Sequence, residues 1–315
     1  MIKNTKSRRD SAVMALAIFP FRYAEIKERI QVNKDFAWLL GYLLSDGSIV
    51  RPKRRGKGDE THLVFICKYS DKEILAKVKK ILGTRARIHE YPEYTSPQAK
   101  LEVFDRRDII EDYNDIKERV PVEAIKGYER HFIRGLFDGD GTLSTRHRNG
   151  RDSFRIGFID EVQEITQWVG DTITSALCLD KKVARWVSQN NVWEVLWEGN
   201  IARLIAYWLY HGDTEECCLS KKRQKYLTDV LNNQSFDSCD DELLWAAKAT
   251  KHADHIEFAL PHLSTLPWCK RVQNLLSYNT VPVFHNKGRR KYYNLYIPPK
   301  VRIANMQDAS EHFQK

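Results

Sequence analysis

The chain holds six cysteines, Cys67, Cys178, Cys217, Cys218, Cys239 and Cys269, and none forms a CxxC pair. Zinc-ribbon spacing is therefore excluded. No signal peptide is visible, so a disulfide framework is not expected and a reducing compartment fits. The apolar stretch from Ala12 to Phe21 is too short to span a bilayer, and no membrane partner is expected. What the chain does have is apolar bulk and positive charge. Hydrophobic residues make up 42% and aromatic residues 11% of its 315 positions, which suits a globular protein with two or three modest cores. The net charge of +9 favours a polyanionic partner such as nucleic acid.

A nine-residue pattern occurs twice. The first copy runs from Leu39 to Gly47 and the second from Ile133 to Gly141, and each residue lies 94 positions from its counterpart. The third residue of each copy is Gly (Gly41, Gly135). A Gly inside a helix costs about 1 kcal/mol relative to Ala. Close approach of a second backbone is the usual reason to accept that cost. Asp46 and Asp140 close the apolar run, followed by Gly47 and Gly141, which read as left-handed helix caps. An acid in the last turn has the wrong sign for the helix dipole. Two such acids brought together would repel, unless a divalent cation lay between them. Magnesium prefers oxygen ligands and takes one or two carboxylates with water and phosphate. Asp138 has Leu44 as its counterpart, so it reads as a helix-surface residue.

The order of elements also repeats. Residues 36–46 read as a helix, His62 to Lys68 as a strand, and Asp71 to Leu82 as a helix capped by Gly83. Arg85 to Tyr91 and Lys100 to Phe104 read as strands, and Asp108 to Ile116 as a helix. In the second half a helix over 129–140 precedes a strand from Ser153 to Ile159. A helix follows from Val162 to Leu177, then a hairpin about Asn190-Asn191 and a helix from Ile201 to Tyr210. Each half is then helix–strand–strand–helix–strand–strand–helix, a second sign of duplication. Basic loops follow both acids: Arg51, Lys53, Arg54, Arg55 and Lys57 in the first half, Arg146, Arg148 and Arg151 in the second. A two-stranded ribbon of this kind fits the DNA major groove, where Arg and Lys bind phosphates and guanine. A solvated hairpin tip is the alternative for either loop.

These residues resemble the LAGLIDADG homing endonucleases in their single-chain, two-motif form. Gly41 and Gly135 match the motif's Gly, Asp46 and Asp140 its catalytic acid, and Gly47 and Gly141 its last Gly. The resemblance covers about residues 31–231. It takes in the helix written Lys221-Lys222-Arg223-Gln224-Lys225-Tyr226, like the one that closes the second half in intein-type relatives. It implies an α+β fold of two pseudo-symmetric αββαββα half-domains forming a DNA-binding saddle, with the motif helices at the interface. It implies hydrolysis of both strands of a long double-stranded DNA site, staggered across the minor groove, with 3′ overhangs. Magnesium would be held by Asp46 and Asp140, with Gly47 and Gly141 beside it. The family also carries basic or amide residues near its metals. Lys68, Arg106 and Arg107 are the first-half candidates, and a plain surface lysine is the alternative for Lys68. The point in the second half after its fourth strand reads Trp197-Glu198-Gly199-Asn200, without a Lys.

The expected organisation is an N-terminal extension over 1–30, halves over 31–127 and 128–231, and a C-terminal extension over 232–315. In that extension a basic hairpin about residues 286–291 suits either nucleic-acid contact or a structural cap. The chain begins with Met rather than a splicing Cys or Ser and ends in Gln314-Lys315 rather than His-Asn. A freestanding or intron-encoded monomer is therefore expected, cytoplasmic or nucleoid-associated, or organellar if its gene is. Two alternatives share the fold: a maturase that binds intron RNA, and a DNA-binding regulator that no longer cleaves.

Overall fold

The computed structural model describes residues 32–51, 61–106, 109–110, 120–148, 151–177, 179, 182–211 and 218–233, together with four strand segments between 250 and 295. The basic residues at 53–57, Arg107, and the cysteines at 178, 217, 239 and 269 lie outside them, as does the N-terminal segment. Among the described residues no helix is long and apolar enough to cross a membrane.

Helix α1 (Lys34–Asp46) begins where the Asn33 side chain accepts from the Phe36 amide at 2.9 Å, satisfying one orphan N–H of the first turn. Every residue from Phe36 to Leu44 is buried, so this helix is central and has no solvent face in that stretch. It leads directly into β1 (Gly47–Val50), then β2 (His62–Lys68), a 3₁₀ turn at Tyr69–Asp71, and α2 (Glu73–Leu82). Ile74, Leu75, Val78 and Leu82 form the one buried stripe of α2, and Gly83 ends it in the left-handed region at φ +63°. Strands β3 (Ile88–Tyr91) and β4 (Gln98–Val103) complete an antiparallel sheet of order β1-β2-β4-β3. Burial alternates residue by residue along β4, as a sheet with one covered face requires.

The second half repeats this. Helix α3 (Glu129–Gly139) leads into β5 (Gly141–Arg148) and β6 (Arg151–Asp160), followed by α4 (Gln163–Ala176), β7 (Arg185–Val187), β8 (Val192–Glu198) and α5 (Gly199–Tyr210). Its sheet has the equivalent order, β5-β6-β8-β7. The expected α+β architecture of paired halves is present. After α5 come a short helix α6 (Ser220–Lys225) and a π turn over Tyr226–Val230. A third antiparallel sheet, of order β11-β12-β10-β9, is formed by β9 (Thr250–Lys251), β10 (Ile256–Phe258), β11 (Val283–Lys287) and β12 (Arg290–Leu295). The predicted C-terminal hairpin therefore exists. It is tighter than expected, with Lys287 paired to Arg290 across the ladder.

The halves meet chiefly through α1 and α3. A Cβ on Gly41 would lie 2.0 Å from the Phe132 carbonyl oxygen, and one on Gly135 would lie 2.0 Å from the Trp38 carbonyl oxygen. Phe132 is the repeat counterpart of Trp38, so the contact is its own mirror under a two-fold rotation. The two backbones touch where only hydrogen fits. The glycines that follow the acids answer a different need from the one expected. Gly47 is extended (φ −88°, ψ 153°) rather than left-handed, and Gly141 is absent from the positive-φ glycines. A Cβ there would lie 2.5 Å from the carbonyl of Leu43 or Phe137 respectively, so the chain can turn sharply out of each helix only without a side chain.

Gly41→Ala and Gly135→Ala should each cost about 3 kcal/mol or more, because the clash is with backbone that cannot move alone. Urea unfolding of the two variants checks this. A loss under about 1 kcal/mol in both would contradict the close-packed interface.

Candidate active site

Asp46 is the last residue of α1 and Asp140 follows the end of α3. The helix contact brings these ends side by side. A Cβ on Gly139 would meet Ser45 Oγ at 2.0 Å and lie 3.3 Å from Asp46 Cγ. Both predicted acids are therefore at one place, half-buried, at the junction of the halves.

Their electrostatics follow from that position. Burial pushes the Asp46 carboxyl above its ordinary range, opposed by a hydrogen bond with Tyr42 and by the Lys222 ammonium. Asp140 is pushed up to about 7, first by burial, then by the charges of Asp46 and Asp160, with Lys222 opposing and Glu161 adding to the rise. Two acids held near each other against their preference are a receptor for positive charge.

Lys222 supplies one such charge. Its Nζ donates to the carbonyl oxygens of Phe137, Gly139 (3.2 Å) and Gly141 (2.7 Å). It thus caps the carbonyl end of α3, where a cation is favoured by the helix dipole. It also interacts with Asp138, Asp46 and Asp140, which oppose the lowering of its pKa by burial. The sequence placed this lysine on a closing helix and assigned it no role.

Asp138 corrects an expectation. It is 2% exposed rather than on the helix surface. Its carboxylate accepts from Trp38 Nε1 at 2.8 Å, the Tyr210 hydroxyl at 3.0 Å and the Leu219 amide at 2.9 Å. One buried acid thereby ties α1, α5 and the start of α6 together, and sets Lys222 three residues beyond Leu219. Burial raises its pKa, with Lys222 the largest opposing influence.

A cleft of about 790 Å³ opens beside this junction, lined by Asp46, Lys68, Gln98, Thr142, Lys221, Lys222 and Lys225 among others. Lys68, at the end of β2, shares this cleft with Asp46. Arg106 does not line it: its Nη1 donates to the Leu82 carbonyl at 2.6 Å, capping α2. Arg51 follows β1 and is exposed, as is Arg146 in β5, opposite Ser153. Arg148 and Arg151 pair across the ladder, so they belong to the strands rather than to a loose turn. The Gly141 carbonyl accepts from Lys222, while the Gly47 amide donates to the Leu43 carbonyl. Cys67 and Cys218, the two described cysteines, are free thiols.

Among the described residues no three His, Cys, Asp or Glu side chains converge closely enough to cage an ion. The donor set is instead two carboxylates, Asp46 lining the cleft and Asp140 at the adjoining helix end. That set fits a hard divalent cation whose remaining ligands are water and phosphate, the usual manner of magnesium.

No family model matches this chain, and no curated protein sequence matches it. Solved structures do show likeness. I-SmaMI bound to uncleaved DNA target with calcium ions aligns at TM-score 0.41 and 9% identity, over 69% of this chain and 98% of that one. The LAGLIDADG homing endonuclease I-LtrWI bound to target DNA aligns at 0.42 and 9%, over the same 69% and 98%. I-DmoI in complex with DNA and calcium aligns at 0.41 and 14%, over 57% and 91%.

Two outcomes test the site's electrostatics. Asp138→Leu, which installs the residue of the first repeat, leaves three buried donors unpaired and should cost about 2–4 kcal/mol in denaturant unfolding. An unchanged midpoint would contradict the network. Asp140 holds its proton more tightly folded than unfolded, so its contribution to stability falls as pH rises from about 4 through about 7. In EDTA, Asp140→Asn should therefore stabilise the protein above pH 7, by about 1–3 kcal/mol. No gain there would contradict the charge crowding.

Proposed function

We propose that the chain is a site-specific, double-strand DNA endonuclease that uses magnesium. The halves over 31–127 and 128–231 act as one monomeric unit, with DNA across the two sheets as across a saddle. The observation that carries this reading is the pair Asp46 and Asp140, delivered to one point by two symmetry-matched helices with Lys222 beside them. A binding protein has no use for apposed carboxylates, which repel both each other and phosphate.

In this reading Asp46 and Asp140 hold the divalent cations. Bound there, the metal would lower the pKa of water and stabilise the departing 3′ oxygen. The rest belongs to the chain. In each cut a water oxygen bonds to phosphorus, gives up a proton to solvent, and the P–O3′ bond breaks. The electron pair leaves with the 3′ oxygen, which takes a proton from solvent, so the products are a 5′ phosphate and a 3′ hydroxyl. Lys68 approaches the phosphate from the end of β2. Lys222 neutralises part of the charge that builds up at the helix ends. Exposed strand residues, Arg146 among them, contact the major groove.

The test is cleavage of a pooled DNA library with magnesium or with EDTA, read by sequencing the ends. Magnesium-dependent ends at one long site with 3′ overhangs are expected. Asp46→Asn and Asp140→Asn should each abolish double-strand cleavage while DNA binding persists. Lys222→Met should slow cleavage by about 10²-fold. Full cleavage by either Asp variant would overturn the assignment. Tight binding without any cleavage would favour a regulator or an RNA-binding maturase.

A further inference from the structure

The third sheet has two faces of opposite character. Residues directly opposite across an antiparallel ladder share a face, and successive residues along a strand alternate between faces. Phe284 is opposite Tyr293, Tyr293 is opposite Phe258, and Leu295 is opposite Ile256. These five residues share one face, the one that a half-covered antiparallel sheet buries. On the other face His285 is opposite Tyr292, and the next pair is Lys287 opposite Arg290. Asn294 belongs to that second face, with Val283 and Glu257 opposite it on the flanking strands.

Charge marks the second face. Residues 283–295 include Lys287, Arg289, Arg290 and Lys291 and contain no Asp or Glu. Among the described residues of the sheet the one acid is Glu257, at the Asn294 position of the ladder, away from the cation pair. Like charges set directly opposite destabilise a hairpin. Lys287 against Arg290 is such a pair, and a polyanion laid across it offsets the repulsion. Successive pairs on one face lie about 7 Å apart along the strands. A pair of ring residues, His285 and Tyr292, is therefore one step from a pair of cations. Ring residues stack on unpaired bases, cations hold the adjoining phosphates, and an amide such as Asn294 bonds to base edges. The bases of a duplex are already stacked on each other, so a duplex would engage the cations alone.

We propose that this face of the C-terminal sheet binds single-stranded nucleic acid, with bases stacked on His285 and Tyr292 and phosphates held by Lys287 and Arg290. The site needs no metal and is independent of the endonuclease reading.

The experiment uses the full chain in EDTA and short fluorescent single strands of mixed sequence, one of DNA and one of RNA, followed by anisotropy. Wild-type protein should bind at least one of them, and the preferred sugar identifies the source. Tyr292→Ala should weaken binding about tenfold, while Tyr292→Phe, which keeps the ring, should bind as wild type does. Lys287→Gln with Arg290→Gln should flatten the salt dependence. Thermal unfolding confirms that each variant is folded. A strand carrying 5-iodouracil, irradiated on the wild-type protein, should cross-link at His285 or Tyr292, a readout that needs no variant. Cross-links confined to residues 32–231 overturn the inference. So does unchanged affinity in the folded Tyr292→Ala and double-Gln variants, or no single-strand binding by wild type. None of these outcomes bears on cleavage, which magnesium-dependent digestion of duplex DNA tests separately.

Discussion

The backbone contact of α1 with α3 is the constraint on which the rest depends. Gly41 and Gly135 let two helices approach until a carbonyl of one fills the place of a Cβ on the other. At that separation the helix ends cannot avoid each other, so the last residue of α1 and the residue after α3 are set side by side. Gly47 and Gly141 then turn each chain into the first strand of its sheet without a side chain striking the helix just left. Four glycines at four steric bottlenecks thus fix where two acids lie and where two sheets begin.

Charge is arranged around that contact in layers. Asp138, fully buried, is stable there because three donors from three elements converge on it. Through Leu219 it places α6, and α6 places Lys222, whose ammonium is spent on the carbonyl end of α3 and on the surrounding acids. Lys77 of α2 adds a bond to the Cys218 carbonyl at 2.7 Å, tying the first half to the same segment. What remains is Asp46, which lines the cleft, and Asp140 beside it, both half-buried and both with carboxyls pushed above the ordinary range, first by burial.

The repeat made the two motif helices, their closing acids and the matched element order legible, because duplication lets each half check the other. The same comparison misled where the halves differ. Asp138 was set aside because Leu44 stands opposite it, yet its partners lie 72 and 81 residues further along, beyond any local pattern. Lys222 sits in a run of basic residues, and nothing in that run marks which one turns inward. Gly47 was correctly singled out for the wrong conformational reason: its φ is negative, and the requirement is steric.

In the proposed reading Asp46 and Asp140 together form the seat of a divalent cation. Iron-directed cleavage of the polypeptide tests it most directly. Ferrous iron replaces magnesium on the full chain with duplex DNA; hydrogen peroxide is then reduced to hydroxyl radical and hydroxide at the bound ion, and ascorbate returns the iron to the ferrous state. Backbone scission should fall near Gly47 and Gly141, be suppressed by excess magnesium, and vanish in Asp46→Asn and Asp140→Asn. Scission concentrated elsewhere, or unchanged in those variants, would contradict the account.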